Sequence, residues 1–322
     1  MKEPIKLFSG TANRELAQKV AKHLKLPLAQ VEIKKFSDGE IYTRLLESVR
    51  GCDVFIIQPT CPDVNSNLME LLILVDALKR SSPARITAVI PYFGYSRQDR
   101  KARPREPISA KVVAKMLETT GINLVMTFDL HVPQVQGFFD IPSDNLDLIP
   151  VYASHIMKKG LKNVVFVSPD VGGVVRTRAM ASAMQAPIAI IDKRRPEHGV
   201  VKVENVIGDV KGKIAILVDD IIDTAGTITA AAKLLKQFGA KEVYALATHA
   251  LLSGPAIERL KNSEIKQIIT TNTVPLSKEK QISKMDVIDI SSILAETIKR
   301  QHEGTSMHVV YEDLHKKLQQ KK

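Results

Sequence analysis

Seven short apolar runs recur along the chain, and they constrain its fold more than any other feature. They are VFIIQ (54–58), ITAVIP (86–91), LVMTF (124–128), VVFVS (164–168), IAII (188–191), IAILV (214–218) and VYALAT (243–248). Each is continuous and rich in β-branched residues, as in strands buried on both faces. Between them lie LMELLILVDALKR (68–80), ISAKVVAKMLETTG (108–121) and ITAAAKLLKQFGA (228–240). Their apolar residues fall at helical spacing, and each stretch ends in basic residues or at Gly121 or Gly239, as helix termini do. Strand and helix in alternation predict parallel sheets with crossover helices.

The pattern occurs twice. A chain of 322 residues exceeds one ordinary core and suggests two domains. Turn-forming residues in IPSDNLDLIP (141–150) mark the junction, so we expect domains over 1–146 and 147–302. No close sequence repeat accompanies them. A tail over 303–322 begins near a glycine and ends in HKKLQQKK, a frayed terminus.

Two cysteines, Cys52 and Cys61, are too few for a disulfide framework, which favours a reducing compartment. The first residues lack the apolar segment of a signal peptide, and no apolar run is long enough to span a bilayer. The expectation is a soluble cytoplasmic protein. The net charge of +11 is basic enough to attract anions. Its local clusters sit beside glycine, proline and aromatic residues rather than in uniform tracts. That favours pockets for phosphorylated small molecules over a nucleic-acid stripe. Only 5% of residues are aromatic and no nucleic-acid-binding motif is present, so neither nucleic acid nor membrane is an expected partner.

The stretch ILVDDIIDTAGTITAA (216–231) carries the strongest chemical signal. Asp219 and Asp220 end an apolar run, then Asp223, Thr224, Ala225, Gly226 and Thr227 form a small-residue loop before a helix. Ligands bind beyond the carboxyl ends of parallel strands. Small residues let backbone N–H groups approach an anion, and the helix N-terminus adds its dipole. The loop can hold a phosphate, while the acids can take sugar hydroxyls or a Mg²⁺ that shares the substrate. Phosphate with vicinal hydroxyls is the signature of a ribose phosphate. The plainer alternative is an acidic turn with a cap at Thr227 or Thr229. The full string VDDxxxTAGT resembles the ribose-5-phosphate loop of the type I phosphoribosyltransferase fold.

Other strings have chemical and ordinary readings side by side. FSDGE (36–40) could stack an adenine on Phe36 with Asp38 and Glu40 accepting hydrogen bonds, or be a surface turn. PYFGYSRQDRK (91–101) offers cations to phosphate, or a solvated loop. His131 in DLH and Asp170 in SPDVGGVVR follow strands and can bind metal; a lone strand-end His is more often structural, and Asp170 can equally cap a helix. DKRRPEHG (192–199) could close cations over a polyphosphate, or form an exposed hairpin. There is no Walker loop, no Ser-His-Asp string and no zinc-type cysteine spacing.

Together, FSDGE, PYFGYSRQDRK, REPISAK, DLH, QGFFDIP, SPDVGGVVR, DKRRP, VDDIIDTAGT and THALLSGPA follow the order found in ribose-phosphate pyrophosphokinases of the phosphate-activated bacterial class. The chain resembles that family over about residues 5–305. The resemblance implies two tandem type I phosphoribosyltransferase-like α/β domains, each a mainly parallel sheet flanked by helices, with the tail packing back on the first. It implies transfer of the β,γ-diphosphoryl group of ATP to the 1-hydroxyl of ribose 5-phosphate. Phe36, Asp38, Gly39, Glu40, Arg97 and Gln98 would then bind ATP. His131 and Asp170 would hold Mg²⁺. Lys193 and Arg195 would be catalytic. Arg195, Asp219, Asp220, Asp223, Thr224, Ala225, Gly226 and Thr227 would bind ribose 5-phosphate. It further implies a homohexamer, an ATP site shared between subunits, and inorganic phosphate as activator at a pocket near Arg50, Ser82, Arg103, Arg105 and Gln136.

Two departures stand out. The family's Asn-Asp before LMELL is Asn65-Ser66 here, and its short ending is replaced by Ser306 to Tyr311 and eleven further residues, which puts ADP inhibition in doubt. The rival readings are a phosphoribosyltransferase, which would need neither FSDGE nor RQDRK, and a non-catalytic subunit like the synthetase-associated proteins, in which lost catalytic residues are expected.

Overall fold

The computed structural model describes residues 3–194 and 203–307, with the side chains of 193, 194, 203 and 204 excepted; the counts below refer to these residues. They divide into two compact units: 3–147, 273–275 and 289–307 in the first, and 148–194, 203–272 and 276–288 in the second.

The first unit is built on a five-stranded sheet. Its strands are β1 (Ile5–Ser9), β4 (Asp53–Ile57), β5 (Arg85–Ile90), β6 (Leu124–Phe128) and β7 (Ser143–Leu146), side by side in that order. Every neighbouring pair is parallel. A separate antiparallel hairpin, β2 (Val31–Lys35) and β3 (Ile41–Leu45), stands apart from it. Four helices belong to this unit: α1 (Arg14–Leu24), α2 (Val64–Lys79), α3 (Ser109–Thr120) and α8 (Ser291–Glu303). Strand residues Phe8, Val54, Ile56, Ile86, Ala88, Ile90 and Val125 share a core with α2 and α3 through Leu71, Val75, Leu78, Val113 and Leu117. Gly121 ends α3 with φ +105°, which a residue with a side chain rarely adopts.

Helix α8 packs against α1, and its His302 reaches the start of β4. Asp53, fully buried, takes the Nε of Arg85 at 2.9 Å and lies 2.8 Å from the Nδ1 of His302. A buried carboxylate needs such partners. The chain rejoins the first unit briefly at Thr273–Pro275 and again from Asp289, ahead of the position 303 expected from sequence. Residues 308–322 lie outside the described residues.

The second unit carries a seven-stranded sheet. Its strands are β8 (Val164–Ser168), β9 (Ile188–Arg194), β10 (Val203–Ile207), β11 (Ile214–Ile222), β12 (Glu242–Ala250), β13 (Ile265–Thr271) and β14 (Met285–Ile288). The spatial order is β10-β9-β8-β11-β12-β13-β14, parallel except for β10 against β9. Helices α4 (Ile149–Lys158), α5 (Val174–Met184), α6 (Gly226–Gln237) and α7 (Ala256–Lys261) complete it. After β8 the chain steps to β9; after β11 it steps the other way, to β12. The gap between β8 and β11 is therefore the reversal point of the sheet, where open α/β sheets bind ligands. No such reversal occurs in the first unit's sheet.

The expected apolar runs are all strands here, with one informative extension. The run predicted over 214–218 continues to Ile222. Ile221 and Ile222 pair with His249 and Ala250 and return the chain to the sheet after the acids. Asp219 and Asp220, which the sequence puts at the end of the run, therefore lie inside β11.

Candidate functional site

Beyond Leu217, β11 keeps its pairing with β12 but has none with β8, which ends its ladder at Val167. The two acids fall in that opened stretch. Asp220 is 2% exposed, and Arg176, in the first turn of α5, reaches its Oδ1 with Nη1 at 2.9 Å. Asp219 is less enclosed, with 27% of its side chain exposed; Nη1 of Arg176 is 3.9 Å away. Its Oδ1 accepts the backbone N–H of Asp220 at 2.9 Å.

Burial and then the neighbouring Asp220 charge push Asp219 up to about 7 from an ordinary 3.8, with Arg176 opposing. The folded protein thus holds a proton that the unfolded chain releases, and Asp219 costs stability progressively as pH rises from about 4 to about 7. Denaturant unfolding of wild type and Asp219→Asn should show a difference that moves against the wild type across that window and levels above it. A difference independent of pH would show that Asp219 does not carry the extra proton.

The loop that follows is short. Asp223 and Thr224 lead to Ala225, whose φ of +60° turns the chain into α6. Helix α6 begins at Gly226, so Gly226 and Thr227 belong to its first turn rather than to a loop before it. Neither Thr227 nor Thr229 caps the helix: the N-cap is Ala225, without a side-chain bond, and Thr229 donates back to the Ala225 carbonyl at 2.8 Å. Ala225 has no polar side chain to cap α6, and a helix start is where an anion can be bound. Ser253 donates its N–H to the Asp223 carbonyl at 3.0 Å, and Arg259 of α7 donates to the Thr224 carbonyl at 3.0 Å. A Cβ on Gly226 would lie 3.2 Å from that guanidinium, so glycine lets Arg259 lie close under the loop.

Across the reversal point, Asp170 follows β8. It is exposed, and its Oδ1 accepts the Gly173 N–H at 2.9 Å in the turn just ahead of α5, whose N-cap is Gly173. A carboxylate oxygen suits a hard cation, and Mg²⁺ is ordinarily held by one or two protein groups plus substrate phosphates. Among the described residues, no three His, Cys, Asp or Glu gather as a metal cluster. Lys193 lies at the end of β9 by its backbone, in register with Glu204. Its side chain, and Arg195 altogether, lie outside the described residues.

In the first unit, FSDGE is the tip of the β2–β3 hairpin. Phe36 N–H donates to the Glu40 carbonyl at 2.8 Å, Asp38 accepts the Glu40 N–H at 3.0 Å, and Gly39 turns with φ +96°. Phe36 is 56% exposed, with its ring edge-on to Tyr42 at 6.0 Å. The PYFGYSRQDRK stretch anchors Tyr92, Phe93 and Ser96 inside and leaves Arg97 and Gln98 exposed. The first turn of α2 tethers both segments: Lys35 donates to Ser66, and the Tyr95 hydroxyl donates to Asn65. The departure at Asn65-Ser66 thus lies where the two expected nucleotide-binding segments are fastened. His131 follows β6, where Leu130 N–H reaches the Asn145 side chain at 3.0 Å and Asp129 adopts φ +38°. The Gly51 N–H bonds the Ser82 carbonyl at 3.0 Å, which brings Arg50 beside Ser82. Cys52 and Cys61 are buried free thiols.

Arg176 and Arg259 were not anticipated. Both lie within quoted or adjoining strings, SPDVGGVVR and the helix after THALLSGPA, but nothing in their spacing tells that they reach the acids and the loop.

A parallel sheet with an acid pair and a glycine-started helix at its reversal point, behind a first parallel-sheet unit, defines a tandem phosphoribosyltransferase-like α/β enzyme. Sequence and structure comparisons narrow this. Residues 5–121 match the N-terminal domain of ribose phosphate pyrophosphokinase, and residues 173–312 match the phosphoribosyl synthetase-associated domain. Ribose-phosphate pyrophosphokinase of Caldanaerobacter subterraneus subsp. tengcongensis is 56% identical over 308 residues, covering 95% of this chain and 98% of that protein. The Bacillus cereus protein of the same name is 54% identical over 307 residues, covering 95% and 97%. The crystal structure of phosphoribosylpyrophosphate synthetase from Mycobacterium smegmatis aligns with a TM-score of 0.90 at 43% identity, covering 94% of this chain and all of that one. The chain belongs to the ribose-phosphate pyrophosphokinase family.

Proposed function

We propose that this enzyme transfers the β,γ-diphosphoryl group of ATP to the 1-hydroxyl of ribose 5-phosphate. The hydroxyl oxygen bonds to the β-phosphorus, the bond from that phosphorus to the α,β-bridging oxygen breaks, and AMP leaves as phosphoribosyl pyrophosphate forms. The observation that carries this reading is the β11–α6 junction. An anion-competent helix start follows two carboxylates at the sheet's reversal point, a pairing suited to phosphate and ribose hydroxyls on one molecule.

In this reading Asp219, Asp220 and Asp223 take the sugar hydroxyls, and the turn from Thr224 to Thr227 takes the 5-phosphate. The first domain is the ATP side. The exposed Phe36 ring stacks adenine, Asp38, Gly39 and Glu40 surround it, and Arg97 and Gln98 meet the nucleotide. Asp170 and His131 are the proposed protein ligands for Mg²⁺, which neutralises polyphosphate charge when bound. Lys193 and Arg195 stabilise charge on the moving diphosphoryl group. Such transfer depends on positioning and charge neutralisation more than on covalent catalysis by the protein.

The remaining elements of the proposal are a homohexamer with a shared ATP site, activation by inorganic phosphate near Arg50, Ser82, Arg103, Arg105 and Gln136, and a cytoplasmic setting without membrane or nucleic-acid partners. No helix among the described residues is long and apolar enough to cross a membrane.

The test is AMP release by the purified chain with ATP, Mg²⁺ and ribose 5-phosphate, with and without inorganic phosphate. AMP formation that requires the sugar phosphate is expected, faster with phosphate. Its absence from folded protein would instead favour the non-catalytic subunit.

A further inference from the structure

Arg176 is placed against ordinary helix electrostatics. It sits in the first turn of α5, where the helix dipole favours acids over cations. Its compensation comes from β11: Nη1 is 2.9 Å from Asp220 and 3.9 Å from Asp219. Asp220, 2% exposed, is in turn an ionisable group that could not stay charged at that depth without a compensating partner. Arginine and acid thus each satisfy a cost the other carries, across the gap where β8 and β11 part.

We propose that Arg176 is a positioning residue of the ribose 5-phosphate site: its guanidinium holds the buried Asp220 carboxylate in place as a hydroxyl acceptor beside Asp219. This rests on the sugar-site reading of β11 above. The guanidinium is spent on the carboxylates and acts on the sugar through them. One nitrogen, Nη1, faces both acids, and a lysine ammonium supplies the charge without the guanidinium's fixed donor direction. Without the guanidinium the Asp220 carboxylate loses the 2.9 Å contact that orients it, so the loss falls on the sugar rather than on ATP.

The experiment uses the full chain as wild type, Arg176→Gln and Arg176→Lys. It combines steady-state kinetics with calorimetric titration of ribose 5-phosphate alone. Arg176→Gln is expected to raise KM and Kd for ribose 5-phosphate on the order of tenfold or more, the loss of one charge-assisted contact. KM for ATP and kcat should stay within about threefold. Arg176→Lys should recover part of that affinity. If Arg176→Gln does not fold, Arg176→Lys decides: a several-fold rise confined to ribose 5-phosphate supports the assignment, and unchanged affinity overturns it. Unchanged sugar affinity in folded Arg176→Gln, or equal losses for both substrates that lysine does not relieve, also overturns it. A wild type that binds ribose 5-phosphate but releases no AMP would sink the catalytic reading and leave the Arg176 comparison readable by calorimetry. A wild type that binds none would overturn both.

Discussion

Replacing Lys193 with alanine is expected to lower kcat roughly a hundred- to a thousand-fold, the usual cost of losing one preorganised charge at a reacting centre. KM for ATP and for ribose 5-phosphate should move by no more than about threefold. The reasoning starts from position. Lys193 is the last residue but one of β9, the strand next to β8 and on the far side of it from β11, at the carboxyl end where the site lies. Charge on a transferring diphosphoryl group peaks in the transition state, so a cation aimed there acts on turnover rather than on ground-state binding. Steady-state kinetics in both substrates, with rapid-quench measurement of the first turnover, decides the matter. Equal losses in binding and turnover would assign Lys193 to ground-state binding.

The second large effect falls on the sugar. Asp223→Ala is expected to raise KM for ribose 5-phosphate roughly ten- to a hundredfold, in line with about 1.5–3 kcal/mol for a hydrogen bond to a charged group. The backbone at Asp223 is pinned independently, since its carbonyl takes the Ser253 N–H at 3.0 Å. Alanine therefore removes the carboxylate and keeps the loop. An unchanged sugar requirement, measured at saturating ATP, would sink the sugar-loop assignment.

What could be read from sequence divides along a physical line. Strands enclosed on both faces, such as β4, β6 and β8, carry continuous apolar runs and were visible. The hairpin β2–β3 was not, because its residues are half-buried or exposed and pair only with each other. The FSDGE motif was legible as chemistry, but its place at a hairpin tip was not. At the sugar site, the residue types in VDDIIDTAGT pointed to the ligand class. Asp219 and Asp220 read as the end of the apolar run; the strand continues past them because Ile221 and Ile222 resume pairing with β12. Charged residues inside a strand are tolerated here because the neighbouring strand has ended and an arginine arrives from another element. Such contacts arise from tertiary geometry: Arg176 is forty-odd residues from Asp220 in sequence. The same holds for Arg85, Asp53 and His302, whose cluster joins widely separated segments that no local pattern connects.

That last cluster bears on how the chain is made. Helix α8 covers α1 and brings His302 to Asp53, yet it follows every described strand of the second unit in sequence. The nascent first unit must therefore wait, with one helix uncovered and one buried acid short of a partner, until the strands and helices between 148 and 288 have been synthesised. Folding of this enzyme is not vectorial from one domain to the next; the last described helix closes what the first strand begins.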